Sequence, residues 1–264
     1  MFHRILIPTD FSTASEWVFD DAVRIAAASG GEVIILHVRM TWGSHPDELR
    51  FPADPSLYEY AEQQELERLR GRIRGENASV KTRLIVRQAP DPGEEICRTA
   101  TSEGVDLIVI ATHARHHVAH LIIGSTTISV LRDPPAPVLA IRYGIRKRTQ
   151  MHRIVVPVHL EQTSHAALEL AAQVGKEIHL LTVCDDGNRP RAEELQRRLA
   201  ANLPNAKTQI IKASDAQKEI VRYVTKSDAD AIFLNARIEP SEGKLDIIRN
   251  APVPVMIVPT PSPR

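Results

Sequence analysis

The chain has 264 residues, 43% of them hydrophobic, with 33 Lys and Arg balanced by 33 Asp and Glu and two cysteines. That length allows one large α/β domain or two of about 130 residues, while zero net charge removes the basic footprint of a nucleic-acid binder. Cys97 and Cys184 lie outside any C-x-x-C pair, which excludes a disulfide framework and points to a reducing compartment. No apolar run reaches the ~20 residues of a membrane span, and the opening MFHRILIPTD reads as a strand and not a signal peptide. The expected location is cytoplasmic, with neither nucleic acid nor membrane as partner.

Taken in chain order, the apolar runs at residues 5–8, 32–38, 83–86, 107–111 and 138–141 are rich in Ile, Val and Leu without strict alternation. Parallel strands buried on both faces read this way. Amphipathic stretches fall between them: residues 12–28, opened by Ser12 or Thr13 and ended by Gly30-Gly31, then 56–73, 93–103 and 125–132. The basic run 142–153 reads as a solvated connector. Beyond it the order repeats, with strands at 154–158, 178–183, 208–211, 231–234 and 255–258. Strand and helix in alternation imply right-handed crossovers and a doubly wound parallel sheet in each half.

The repeat is visible at both ends. His3-Arg4-Ile5-Leu6-Ile7-Pro8 matches His152-Arg153-Ile154-Val155-Val156-Pro157 at an offset of 149, and Pro137-Val138 matches Pro254-Val255 at 117, so the second copy is 32 residues shorter. The first copy has long segments after its second strand (39–55) and fourth strand (112–124) that the second copy abbreviates. Ligands of open α/β sheets bind beyond the carboxyl ends of the strands, so both shortenings are expected on the ligand-bearing edge.

Two groups of residues carry candidate chemistry. Gly124-Ser125-Thr126-Thr127 opens a helix, where free amides, hydroxyls and the dipole suit a phosphate; an ordinary N-cap reads the same way. His113, His116, His117 and His120 fall within eight residues, a spacing that suits zinc or nickel, suits added positive charge for phosphates when protonated, and suits a polar surface loop equally. No G-x-S-x-G elbow, G-x-x-x-x-G-K-[ST] loop or H-E-x-x-H pair is present.

Residues 108–115, the nine residues 115–123 and Gly124-Ser125 together resemble the phosphate- and ribose-binding loop of the universal stress protein family. The opening Ile7-Pro8-Thr9-Asp10-Phe11-Ser12, the strand ending Leu36-His37-Val38 and the closing Pro137-Val138-Leu139 resemble it too. The resemblance covers nearly the whole chain as a tandem member. It implies two doubly wound, five-stranded parallel sheets flanked by helices, Rossmann-like or adenine-nucleotide-α-hydrolase-like: residues 1–143 with a degenerate nucleotide loop, and 150–260, shorter, without one. By the same resemblance Thr9, Asp10 and Val38 would face adenine and ribose. Ala111, Ala114 and Arg115 would line the ribose and phosphates, and Gly124, Ser125 and Thr126 would hold the phosphate tail. Asp10 reads equally well as a cap for the first helix.

The family pattern G-x-x-G-x9-G-[ST] has Ala111 and Ala114 at its first two glycines here. An alanine forced to positive φ costs about 1–2 kcal/mol, whereas one that merely takes up room does not. In the second half His159 replaces Asp10, and no Gly-Ser helix start follows Asn235. The expectation is a stress-response protein that binds ATP, ADP or AMP in its first half, requires no cofactor, and uses the second half in place of a partner subunit. The resemblance also implies that residues 138–141 pair with 255–258 and that two chains form a homodimer that serves an unknown protein partner. No catalytic residue is assigned; slow ATP hydrolysis is the most the family implies, and no general base presents itself. The competing reading is a nucleotide-free module that binds a protein or small apolar ligand, with Trp42 and Phe51 closing over it; a metal-dependent enzyme built on the histidines ranks below both.

Overall fold

A computed structural model describes residues 2–41, 55–112, 123–145, 151–161, 165–236 and 242–260. The first half runs β1 (Arg4–Thr9), α1 (Thr13–Trp17), α2 (Phe19–Ser29), β2 (Glu32–Met40), α3 (Pro55–Glu76), β3 (Lys81–Ala89), α4 (Pro92–Ser102), β4 (Leu107–Ala111), α5 (Ser125–Arg132) and β5 (Val138–Ile141). The second runs β6 (Arg153–Pro157), α6 (Ala166–Val174), β7 (Glu177–Cys184), α7 (Arg189–Ala200), β8 (Ala206–Lys212), α8 (Ala216–Lys226), β9 (Ala231–Asn235), α9 (Glu242–Asn250) and β10 (Val255–Val258).

Each half forms five parallel strands, as the apolar runs predict, but the two sets are ends of one ten-stranded sheet, ordered β3-β2-β1-β4-β5-β10-β9-β6-β7-β8. The seam is the antiparallel pair β5–β10, the pairing that the family resemblance implies. It has the geometry of a two-fold axis: Leu139 faces Met256, its own counterpart in the repeat, while Val138 faces Ile257 and Ala140 faces Val255. The same patch on two related bodies meets itself, as in an isologous dimer.

Both faces of the sheet are apolar, so neither tolerates alternation with polar residues. On one face Ile5, Ile7, Val33 and Ile35 pack under Phe19 and Val23 of α2 and Leu66, Leu69 and Ile73 of α3, and Ile154, Val156, Ile178 and Leu180 continue the layer under α6 and α7. On the other, Leu6, Ile34 and Leu36 pack under Ile96 of α4 and Val130 and Leu131 of α5, continuing through Val155 to Ile220, Val224, Ile247 and Ile248 of α8 and α9. Each layer crosses the seam without interruption.

Three details depart from the sequence reading. The single helix expected over 12–28 is two, jointed at the fully buried, β-branched Val18; the joint brings Trp17 edge-on to Tyr143 with ring centroids 5.0 Å apart. Strand register then locates the missing residues. Ile5–Val33 corresponds to Ile154–Ile178, Ile34–Arg83 to His179–Lys207, and Ile108–Val138 to Ile232–Val255, so the offset falls from 149 to 145, to 124 and to 117 along the chain. The largest loss lies between the second and third strands. Part of it is helix, not loop, since α3 has 22 residues and α7 has 12. A smaller loss, between the first and second strands, is one the sequence comparison does not reveal.

Candidate functional site

Because β1, β2 and β4 are parallel neighbours, their carboxyl ends open on one edge of the sheet. After β1 the chain makes a tight, self-bonded turn. Thr9 Oγ1 accepts from the Phe11 amide at 3.0 Å and shares a hydrogen with Ser15 Oγ at 3.1 Å. Asp10 Oδ1 accepts from the Ser12 amide at 3.0 Å, and Ser12 Oγ in turn caps α1 through the Ser15 amide. Phe11 sits at φ +61°, a left-handed position that costs a bulky residue strain. Asp10 thus builds the turn leading to the cap, while Ser12 is the cap itself.

At the end of β2, Val38 is half-buried and His37 is 5% exposed. The His37 Nδ1 lies 2.9 Å from the Thr9 carbonyl oxygen, and its ring lies over Phe11 at 4.4 Å. Behind it Glu62 of α3, equally buried, takes two hydrogen bonds from Arg39 at 2.6 and 2.8 Å. Those bonds hold the Arg39 guanidinium firmly in its charged form. Sequence reading used His37 only as part of a strand ending and passed over Glu62. The available signal was a histidine inside an apolar run, with a carboxylate on the buried face of the next helix.

At the end of β4, Ala111 is among the residues with ordinary negative φ, since the positive-φ residues other than glycine are Phe11 and Asp228 among those described. Its methyl therefore imposes no backbone strain. The Ala111 carbonyl accepts from Thr127 Oγ1 at 3.0 Å, and the Thr112 carbonyl accepts from the Gly124 amide at 3.0 Å. Together these bonds seat the first turn of α5 over the strand end. Gly124 is the N-cap residue at φ −63°, ψ 148° and, being glycine, offers no side-chain cap of its own; Ser125 is exposed and Thr126 half-buried. The N-cap position of this segment falls to Gly124, and Ser125 and Thr126 are the first helical residues. Thr9, Asp10, Val38, Ala111, Gly124, Ser125 and Thr126 share this edge. Ala114, Arg115 and the four histidines His113, His116, His117 and His120 lie outside the described residues.

The second half carries different side chains at the corresponding strand ends. Asn235 stands at the position of Ala111, and its Oδ1 accepts from the Ala167 amide at 2.8 Å, capping α6. Lys244 stands at the position of Thr127 and donates its ammonium to the Asn235 carbonyl, as Thr127 donates its hydroxyl to Ala111. The helix opens on Glu242 where the first half has Ser125. The His37–Glu62 pair is replaced by Thr182 and Gln196, whose Nε2 donates to Thr182 Oγ1 at 3.0 Å, Leu180 O at 3.1 Å and Gln209 O at 2.8 Å. The fourth-strand end thus carries small residues in the first half and the polar side chains Asn235 and Lys244 in the second. Among the described residues no group of three or more His, Cys, Asp or Glu could hold a metal, and no helix is long and apolar enough to cross a membrane.

A parallel sheet whose first and fourth strands end beside a helix start is the doubly wound α/β class that receives ligands at its carboxyl edge. Residues 1–142 match the model of the Universal stress protein family, and the chain belongs to that family. A universal stress protein of Methanocaldococcus jannaschii is 26% identical over 159 residues, which cover 54% of this chain and 96% of that one. One of Thermus aquaticus is 29% identical over 147 residues, covering 54% and 100%. The crystal structure of a universal stress protein from Archaeoglobus fulgidus superposes over 97% of this chain and 96% of its own with a TM-score of 0.75 at 22% identity, so the fold extends through the second half.

Proposed function

We propose that this universal stress protein binds an adenine nucleotide, ATP, ADP or AMP, in a first domain of residues 1–143, and that a second domain of residues 150–260 binds none and serves as its resident partner. The carrying observation is the contrast at the end of the fourth strand. The amide end of α5 opens on a glycine and is anchored over Ala111 by Thr127, whereas Asn235 and Lys244 place their own polar groups at the equivalent strand end. Negative Gly124 and Ala111 φ values support the reading, because neither position needs the conformational freedom of a second glycine. In this reading Thr9, Asp10 and Val38 meet the base and ribose, Ala111, Ala114 and Arg115 the ribose and phosphates, and Gly124, Ser125 and Thr126 the phosphate tail. In this reading the protein binds without turnover, and no residue is assigned as a general base. A cytoplasmic location and a homodimer of tandem chains complete the proposal; Cys97 and Cys184 are both free thiols.

Mass spectrometry of the natively purified protein, then calorimetry with ATP, ADP and AMP, tests it. Gly124→Trp should abolish the heat of binding and Lys244→Ala should leave it intact; absence of bound nucleotide and of heat at about 100 μM protein would overturn the proposal. One observation favours the nucleotide-free module instead: Leu57, Tyr58 and Tyr60 at the start of α3, with Met40 at the end of β2, are exposed apolar side chains on one corner of the first half. That reading predicts unchanged partner capture by Gly124→Trp.

A further inference from the structure

Along α3 and β3 most cations have a carboxylate beside them. Arg68 is held by Glu16 and Glu65, Arg70 by Glu67 at 3.4 Å, and Arg72 by Asp20 and Glu76. Arg83 is held by Glu103 at 2.9 Å and Arg87 by Glu95 at 4.0 Å. Arg74 and Lys81 are the two cations of these elements that form no ion pair among the described residues. Both are exposed, and both border one recess of about 370 Å³ between the end of α3 and the start of β3, which Arg70, Ser79 and Thr82 also line. Among the described residues no acidic side chain lines it.

Two residues of the recess also bury a polar atom that has no hydrogen-bond partner among the described residues, Arg70 Nε and Thr82 Oγ1. The first can only donate and the second can donate, so an acceptor serves both. Ser79 is already engaged, its hydroxyl donating to Asn77 Oδ1 at 2.6 Å. A cation in the last turn of a helix offsets the helix dipole, and a lysine on an edge strand discourages pairing with other chains. Those roles account for Arg74 and Lys81 singly, but not for two buried donors in the same recess. The second half supplies the contrast. By strand register Arg83 corresponds to Lys207, which keeps a carboxylate, Glu177, at 3.1 Å. Lys81 and Thr82 correspond to Asn205 and Ala206. Asn205 Nδ2 donates to the Gly175 and Lys176 carbonyls at 3.4 and 3.1 Å, and Ala206 has no polar side chain. The paired cation is present in both copies, and the unpaired one with its hydroxyl neighbour in the first alone.

We propose that this recess is a second ligand site, which binds a compact anion of the diphosphate class through Arg74, Lys81, Arg70 and Thr82. Lys81 opens β3 beside Glu32 of β2, which lies beside Arg4 of β1, so the site is on the amino edge of the sheet, opposite the edge that ends in Ala111. Its volume stands at the lower end of the range of small-molecule sites, about 300–1,000 Å³, and its polar, cationic lining suits linked phosphoryl groups and not an apolar ligand. Arg70 and Arg74 share a face of α3, four residues apart, and present two guanidinium forks matched to phosphoryl oxygens, while Lys81 adds a point charge from the strand. Arg70 Nε and Thr82 Oγ1 are covered, so the inner phosphoryl group reaches them as the Arg70 side chain, 33% exposed, turns away from Glu67. The proposal stands apart from the nucleotide reading of the carboxyl edge.

The experiment is amide and arginine-side-chain NMR on the full-length chain titrated with pyrophosphate, with calorimetry alongside. Saturable shifts are expected at the amides of Ser79, Lys81 and Thr82 and at the Arg70 Nε–H, with a Kd on the order of a millimolar or below that weakens as salt is raised. Arg74→Gln combined with Lys81→Gln removes the two unpaired charges from exposed positions, so the melting temperature should hold while affinity falls about tenfold or more. Arg83→Gln removes a neighbouring cation that already has its carboxylate and should change affinity by less than about twofold. A parallel titration with ADP separates the sources of the anion: shifts at Ser79–Thr82 equal to those with pyrophosphate assign the site to esterified diphosphates, and their absence assigns it to the free anion. Pyrophosphate shifts that do not saturate, that appear only at Gly124–Thr126, or that persist unchanged in the double variant would overturn the proposal. Saturation at Ser79–Thr82 in a protein that shows no response to ATP at Gly124–Thr126 would sink the nucleotide reading and leave this one standing.

Discussion

Thr127→Val exchanges a hydroxyl for a methyl of nearly the same volume, so it tests one hydrogen bond with little change in packing. The Thr127 hydroxyl donates to the Ala111 carbonyl at 3.0 Å, and Thr127 is 4% exposed. Such a bond contributes about 0.5–1.5 kcal/mol net, and a buried carbonyl deprived of a donor costs about 1–3 kcal/mol. We expect Thr127→Val to lower stability by about 1–3 kcal/mol, because Thr127 and Ala111 are both buried. With Tm moving about 2–4 °C per kcal/mol in a chain approaching this size, the loss is readable by calorimetry. The same bond fixes the start of α5 over β4, so ATP affinity should fall by about tenfold, equivalent to about 1.4 kcal/mol. Thr127→Ser keeps the donor and removes one methyl group, at about 0.8 kcal/mol, and should retain affinity. Paired calorimetric unfolding and binding curves for the two variants decide it. If Thr127→Ser loses as much affinity as Thr127→Val, the effect lies in packing and the anchoring argument is wrong.

Three other outcomes follow from groups elsewhere in the fold. Burial pushes the Asp21 carboxyl from 3.8 up to about 6, against the pull of Arg24; the folded state therefore prefers the proton, and the stability from this group is complete below about pH 4 and lost as pH rises through 6. Asp21→Asn should abolish that decline and gain about 1–3 kcal/mol at neutral pH, and parallel pH profiles for the two proteins would refute the assignment. Glu177 is the opposite case, held down at about 2 first by the hydrogen bond from His179, then by Lys207 and Arg153. Its contribution is present above about pH 4.5 and lost as pH falls towards 2, so Glu177→Gln should flatten the acid limb of urea midpoints. Gly93 lets α4 lie against α5, and a Cβ there would sit 2.3 Å from Ser129 Cβ. Gly93→Ala should cost about 1–3 kcal/mol as an overpacked contact and weaken ATP binding by displacing α5; calorimetry that finds both unchanged would show that α5 has slack.

The sequence was most legible where burial on both faces erased alternation. Leu107–Ala111 and Val138–Ile141 read as continuous apolar runs, and their limits agree with β4 and β5. Edge strand β3 is the contrary case. Lys81, Arg83 and Arg87 are exposed, so only its central residues read as strand although it extends from Lys81 to Ala89. The seam left no local mark, because nothing in Val138–Ile141 distinguishes an interior strand from one that pairs with a second copy. Only the repeat and the family resemblance pointed there. At the candidate site, Gly124 and Ser125 were visible as residue types, but whether Ser125 caps or follows the cap depends on ψ at Gly124. The His37–Glu62 contact spans 25 residues and two elements, and the Lys244–Asn235 contact requires the register of a helix against a strand. Neither follows from periodicity. Ala111 does not have positive φ, while Ala114, to which the strain argument applies, lies outside the described residues.

Because β5 and β10 belong to one polypeptide, the two-fold seam behaves unlike the interface of a symmetric dimer. Dilution cannot separate it, since the tether keeps each strand in the vicinity of the other at an effective concentration of roughly millimolar or more. Its contribution to unfolding should accordingly be independent of protein concentration. A substitution in an identical pair would strike both sides of the axis at once; here a change at Leu139 leaves Met256 as it was. The covalent link thus frees the two copies to diverge. Asn235 and Lys244 could occupy one ligand edge without a matching loss at Ala111 and Thr127, and the chain carries an asymmetry that an assembly of identical subunits could not encode.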